Sequence, residues 1–348
     1  TVKRNRIPIK SVDAAYKLTD TLGYIKVNRF AESTYKEFKK ELNKLQKEGV
    51  TELVVDLRNN PGGFLSIAQQ IVDEFLEDDK LILFTKNKRG DIEEAFATKK
   101  GSFENGKVYV LIDENSASAS EIIAGALQDN DKGTIVGRRS YGKGLVQREM
   151  DLGDGSAVRL TVSRYFTPTG RSIQRPYKNG NKDYYDEYYE RLESGELLDS
   201  EKIKVADSLK FKTPEGKIVY GGGGIIPDVF VPLDNSMQSE TLRYIKSHQF
   251  FDNFIFRELD KDRHAYDGIS RQDFIDSFEI EDDLVFALQD YLNISASSKI
   301  TFVAYHKEVK QYLKATLADQ LFGDGAYEEV FNQRDIMIDE VIKLSDEE

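Results

Sequence analysis

The stretch "KVYVLIDENSASASEIIAGALQDNDKGTIVG", Lys107–Gly137, decides the fold. "KVYVLID" is almost continuously apolar, as a strand covered on both faces would be. "EIIAGALQDN" has the composition of a helix, and "GTIVG" reads as a second buried strand. Strand, loop, helix and strand in that order describe a unit whose two strands run parallel. The same grammar extends upstream. "TELVVDLR" (Thr51–Arg58) is another doubly covered strand, "NNPGG" breaks it, and "FLSIAQQIVDEFLEDD" has helical spacing at Ala68, Ile71, Val72, Phe75 and Leu76. Earlier still, "GYIKVNRF" reads as a strand and "STYKEFKKELNKLQKEG" as an amphipathic helix stopping at Gly49. "LILFTK" and "EEAFATK" flank the turn-like "NKRGD" and form a predicted hairpin. The expected fold class is α/β with a largely parallel sheet.

Beyond Gly144 the period changes to two. "LVQREMDLGDGSAVRLTVSRYF" predicts antiparallel β structure around a "GDG" turn. Residues 177–204 are rich in Tyr, Asp and Glu and read as a solvated insertion. "YGGGGIIPDVFVP" reads as a glycine-hinged strand, and residues 236–348 are helical and acidic. "TVKRNRIPI" at the start reads as a short isolated strand.

Composition narrows the function. The chain has 348 residues, 39% hydrophobic and 32% charged, enough for a sizeable core. A net charge of -12 argues against a nucleic-acid partner. There are no cysteines, which removes disulfides, zinc thiolates and thiol nucleophiles. No segment is long and apolar enough to suggest a membrane span.

The serine run admits two readings. Ser118-Ala119-Ser120-Glu121 is an S-x-x-E capping box, so Ser118 could simply hold the first turn of a helix. The same position lies beyond the carboxyl end of a parallel strand, where α/β sheets bind ligands, and the helix start offers free N–H groups to a developing oxyanion. A nucleophile needs a base. His248, His264 and His306 all fall in the late helical part, away from any core strand end. Lys143, between two glycines in "YGKGLVQ", is the other option, because a lysine relieved of its charge can act as a base. Gln147 lies four residues on, on the same face of an extended segment. "GRRSYGKG" also has phosphate-loop spacing, but position 144 is Gly rather than Ser or Thr and β sequence follows instead of a helix.

"SASASEI", "GALQDN", "YGKGLVQ", "DLRNNPGG" and "YFTPTGRSIQ", in that spacing, resemble the carboxyl-terminal processing protease family, serine proteases with a Ser/Lys dyad on a ClpP/crotonase-like core. The resemblance covers about residues 1–232. It implies Ser118 as nucleophile, Lys143 as base 25 positions later, Gln147 beside the lysine, and an oxyanion hole from the Ala119 N–H and either Gly62 or Gly63. It also implies a supporting role for Asp129. It implies no metal or organic cofactor, and polypeptide substrates with apolar C-termini.

The domain reading is then a remnant strand and linker over 1–20, a catalytic core over 21–235, and a helical C-terminal extension over 236–348. Family members usually carry a PDZ domain before the core, so this chain is expected to be a core without that substrate gate. The resemblance places it in the bacterial cell envelope, periplasmic or anchored through a preceding segment. The acidic helical tail reads as a dimerisation or lid element, so a homodimer through that part and a regulatory adaptor are the further expected partners. A packed helical appendage is an equally open reading of that part. The alternative function is a non-catalytic crotonase-like binding or scaffold module, because fold does not fix chemistry.

Overall fold

The structure, a computed structural model, describes residues 9–177, 181–234, 240–295, 302 and 305–347. The chain divides into two units, Thr1–Leu233 with Glu340–Glu348, and Asp234–Asp339.

The first unit opens with β1 (Val12–Lys17), β2 (Leu22–Val27), α1 (Thr34–Lys47), β3 (Glu52–Asp56) and α2 (Leu65–Asp73). It continues through β4 (Leu81–Asn87), β5 (Ile92–Phe96), β6 (Lys107–Ile112), α3 (Ala119–Asp129) and β7 (Gly133–Gly137). Then come β8 (Leu145–Asp151), β9 (Ala157–Phe166), α4 (Asn181–Glu193), β10 (Lys210–Lys212), β11 (Ile218–Tyr220) and β12 (Val229–Phe230).

The main sheet has the order β1-β2-β3-β6-β7-β12. From β2 to β12 every pairing is parallel, and β1 joins antiparallel at the edge. Parallel strands need crossovers, and α1, α2 and α3 supply them. Strand side chains Leu53, Val55, Val110, Ile112 and Ile135 are wholly buried, and with Ile71, Ile123 and Leu127 from the helices they form the core. All eleven residues of α3 are buried, so this helix, which starts immediately after Ser118, is enclosed by protein over its whole length. A second sheet, β5-β4-β9-β8, is antiparallel throughout. It carries the predicted 81–96 hairpin and the "GDG" hairpin.

Three expectations change. Residues 12–17, expected as linker, form β1. Val12 and Ala14 point inward, and the Ser11 N–H donates to the Glu37 carboxylate on α1 at 2.7 Å, which fixes the strand's start. The "YGGGGIIPDVFVP" segment is not one strand. It splits into β11, paired with β10, and β12, paired with β7, with an irregular crossing between them. Residues 181–204 are helical at first and far from fully solvated, since Arg191, Glu196 and Leu197 are buried. The segment after "GRRSYGKG" is strand β8, as expected, so the helix a phosphate loop needs does not follow it. The strand expected over "TVKRNRIPI" lies outside the described residues apart from Ile9.

The second unit is helical. It contains α5 (Glu240–Ser247), α6 (Phe250–Lys261), α7 (Arg271–Ser277), α8 (Asp282–Ser295), α9 (His306–Phe322) and α10 (Ala326–Asn332). Ile245, Phe254, Phe274, Leu288, Leu313 and Ala318 are central to its own core. A last helix, α11, spans Ile336–Asp346. No helix among the described residues is long and apolar enough to cross a membrane.

Candidate active site

Ser118 sits at the turn from β6 into α3 with φ 56° and ψ -111°, a backbone conformation that costs a non-glycine residue on the order of 1–3 kcal/mol. The turn is held by its neighbours. Ser116 Oγ donates to Leu57 O at 2.8 Å, Ala117 N to Asn60 O at 3.0 Å, and Ser120 Oγ to the same carbonyl at 2.9 Å. The strain aims the serine at the cleft and leaves Ala119 as the first helical residue, where an N–H has no partner within the helix.

The Asn60–Phe64 loop lies against this turn. Asp56, wholly buried at the end of β3, anchors its approach. Burial alone would raise the Asp56 pKa, but the Arg58 guanidinium at 2.6 Å, with Lys26 and the Tyr24 hydroxyl, holds it down at about 2. A Cβ added to Gly62 would lie 2.7 Å from Ala117 O and 2.8 Å from Ser118 Cβ, and one added to Gly63 would lie 2.2 Å from Phe30 O. Both residues have positive φ, 102° and 152°, so glycine is required twice over. The Gly62 N–H is spent on Asn60 Oδ1 at 2.9 Å. Gly63 lines the cleft, and its N–H has no acceptor among the described residues. Of the two glycines left open by sequence, Gly63 therefore has the N–H available to an oxyanion.

Lys143 arrives on the segment between β7 and β8, and that segment is fixed residue by residue. Ser140 N donates to Ile225 O at 3.0 Å and Tyr141 N to Ser116 O at 3.0 Å. Gly142 N donates to Glu121 Oε1 at 2.6 Å, Lys143 N to Glu121 Oε2 at 2.9 Å, and Gly144 N to Gln174 Oε1 at 2.9 Å. Glu121 Oε2 also accepts the Ser118 N–H at 2.8 Å, and Oε1 accepts the Ser140 hydroxyl at 2.5 Å. One buried carboxylate thus holds the backbones of Ser118 and Lys143 together. On the carbonyl side the Tyr165 hydroxyl lies 3.1 Å from Ser118 O and 2.9 Å from Lys143 O, sharing its proton between them. Burial raises the Glu121 pKa, and its four hydrogen-bond donors only partly oppose this.

Ser118 and Lys143 line one cleft of about 500 Å³. Its apolar wall includes Phe30, Phe64, Leu65, Ile122 and Tyr165. No hydrogen bond joins Ser118 Oγ to Lys143 Nζ among the described residues, and the Ser118 side chain faces the Glu121 backbone N–H in the capping box that starts α3. Gln147 lines the same cleft, although a register shift between Val146 and Gln147 interrupts the simple alternation expected of β8. Asp129 is not brought there. It ends α3, ten residues or about 15 Å of helix from its start. There it pairs with the wholly buried Arg171 at 2.7 Å and accepts the Thr169 N–H at 3.0 Å.

Sequence reading passed over two residues that the geometry makes central. Glu121 was visible as the far end of the capping box, and its link to Lys143 was not. Tyr165 opens the motif "YFTPTGRSIQ", but its role was not legible there, because its two contacts lie 22 and 47 positions away.

Residues 21–180 match peptidase family S41, and residues 241–323 match a family of unknown function (DUF8443). A probable CtpA-like serine protease of Staphylococcus haemolyticus is 37% identical over 175 residues, covering 49% of this chain and 34% of that protein. The carboxy-terminal processing protease CtpB of Bacillus subtilis is 37% identical over 179 residues, covering 50% of this chain and 36% of that protein. A carboxyl-terminal-processing protease of Picosynechococcus is 40% identical over 156 residues, covering 45% of this chain and 37% of that protein. The match therefore spans about a third of the length of these curated relatives. A solved structure of a photosystem II D1 C-terminal processing protease superposes with a TM-score of 0.45 at 28% identity, over 66% of this chain and 50% of that one.

Proposed function

We propose, from the match of residues 21–180 to peptidase family S41, that this chain is a serine endopeptidase acting on extended polypeptides near their C-termini. The observation that carries the reading is that Ser118 and Lys143 share one cleft while their backbone N–H groups share one buried carboxylate. In the mechanism, Ser118 Oγ attacks a peptide carbonyl carbon as its proton passes to the neutral amine of Lys143. The Ala119 and Gly63 N–H groups hold the resulting oxyanion. The C–N bond then breaks as the lysine ammonium returns its proton to the leaving amine. Water, deprotonated by the same lysine, hydrolyses the ester on Ser118. Gln147 orients the amine from the cleft wall. The apolar wall suits a small or apolar substrate side chain beside the scissile bond.

By the same family resemblance the proposal extends to action in the bacterial cell envelope; it further includes a second copy bound through the C-terminal helical part, residues 236–348, and a regulatory adaptor. Cell fractionation and sedimentation test these extensions separately from the chemistry. The chemistry itself is tested with a fluorophosphonate that reacts only with activated serines. Peptide mass mapping should find the adduct on Ser118 in the parent and none in Lys143→Ala. An adduct on another serine, or equal labelling of the two proteins, contradicts the assignment and leaves a binding module as the better reading.

A further inference from the structure

The mechanism above makes no use of residues 181–199, yet they grip the segment that leads into Lys143. Arg191, on the last turn of α4, is 3% exposed. Its Nη1 donates to Ser140 O at 2.9 Å and to Arg139 O at 3.3 Å, while Nε and Nη2 donate to Glu187 Oε1 at 3.1 and 2.9 Å. Two arginines reach back from the core. Arg139 forks onto Glu196 with contacts of 2.6 and 2.7 Å, and Arg175 pairs with Glu187 at 2.9 Å. The Arg175 guanidinium also lies 3.9 Å over the Tyr141 ring, and its backbone N–H donates to Gly142 O at 3.1 Å. Leu197 is buried, and its carbonyl accepts the Leu233 N–H at 2.8 Å.

Desolvating three guanidiniums to dock a surface helix is costly unless each is paired and hydrogen-bonded. Here the 181–199 segment bonds to Arg139 and Ser140. Arg175, paired with Glu187, covers the Tyr141 ring and bonds to Gly142 O, and Lys143 is the next residue. Glu121 holds this stretch from the core side and the 181–199 segment holds it from the other. We infer that residues 181–199 form a strap that positions Lys143, with Arg191 as the positioning residue that fixes the Arg139 and Ser140 carbonyls. The inference rests on the proposed role of Lys143 as base. Displacement of α4 would then detune the base without altering the cleft wall.

The test uses the full chain with Arg191→Met, which keeps the apolar stem and removes the donors, and with Arg191→Lys and Glu196→Gln. Hydrogen exchange reads the position of the segment, and peptide hydrolysis well below the unfolding midpoint reads its consequence. In Arg191→Met the amides of Tyr141, Gly142 and Lys143 should exchange at least about tenfold faster, with β3 and β6 unchanged. The kcat should fall about 10–100-fold at unchanged KM. Arg191→Lys, which keeps one donor for Ser140 O, should recover part of the loss. Should Arg191→Met fail to fold, the same exchange comparison on Arg191→Lys and Glu196→Gln decides the matter. Unchanged exchange in the segment, or a lowered midpoint with kcat intact, overturns the strap and leaves a structural helix. Hydrolysis that persists in Ser118→Ala sinks the proposed chemistry instead, and the exchange data still judge the strap.

Discussion

Glu121→Gln swaps one carboxylate oxygen for an NH2 at constant shape. The carboxylate accepts from Ser118 N, Lys143 N, Gly142 N and the Ser140 hydroxyl. Whichever way the amide turns, its NH2 confronts two donors. The cheaper orientation faces Ser140, whose hydroxyl can rotate to accept, and leaves the Gly142 N–H without an acceptor. A lost charge-assisted bond costs about 1.5–3 kcal/mol and an orphaned buried donor about 1–3 kcal/mol, so roughly 3–5 kcal/mol is at stake. Removing a buried charge offsets part of this. The pH dependence follows from the raised Glu121 pKa, whose cause is burial. A folded-state pKa above the unfolded value contributes stability that is present below the ordinary glutamate range and is lost as pH rises through the folded value. The parent's advantage over the variant should therefore be larger in mild acid than at neutral pH. Urea unfolding at the two pH values measures it. In that orientation the amide oxygen still accepts from Ser118 N and Lys143 N, but Gly142, the neighbour of Lys143, is released, so kcat measured well below the midpoint should fall, by up to about a hundredfold for a misplacement near 1 Å. A variant with full kcat and parental stability refutes the clamp. A reversed pH trend would mean that the four donors outweigh burial.

Tyr165→Phe removes the proton shared by the Ser118 and Lys143 carbonyls. It should cost about 1 kcal/mol in thermal unfolding while lowering kcat about tenfold, a larger loss than the stability change explains. Gly63→Ala drives a Cβ to 2.2 Å from Phe30 O, so the backbone must move. Displacing an oxyanion donor should lower kcat about 10²–10³-fold in a steady-state peptide assay, with circular dichroism reporting that the fold persists. Arg58→Met strands the buried Asp56 carboxylate and should destabilise the protein by about 3–5 kcal/mol in urea titrations. In the parent, Asp56 has its pKa depressed to about 2. Its contribution of about 2 kcal/mol is present above the ordinary aspartate range and lost as pH falls through that value, which acid titration of stability reads out.

The parallel core was legible because its signals are local. Continuous apolar strands, turn residues and helical spacing each occupy fewer than about twenty residues, and connectivity then limits the topology. The placing of Ser118 and Lys143 beside one cleft was legible for a related reason, since each stands next to a punctuated strand end. What stayed hidden depends on partners far along the chain. Arg191 reads as a solvated charge until Ser140, 51 positions earlier, accepts its bond. Glu121 satisfies a capping box so fully that its second task, on Lys143 22 positions away, leaves no mark. β12 is two residues long and shows no period at all. Asp129 matched the family spacing, but a position along a helix axis sets its distance from the serine, and that put it beside Arg171 instead.

The most direct test of the account is intact-mass analysis of a disordered polypeptide with an apolar C-terminus after incubation with the parent, Ser118→Ala and Lys143→Ala. The account predicts new C-terminal fragments from the parent and an uncut polypeptide from both variants. The same fragments from either variant would contradict a Ser118/Lys143 peptidase.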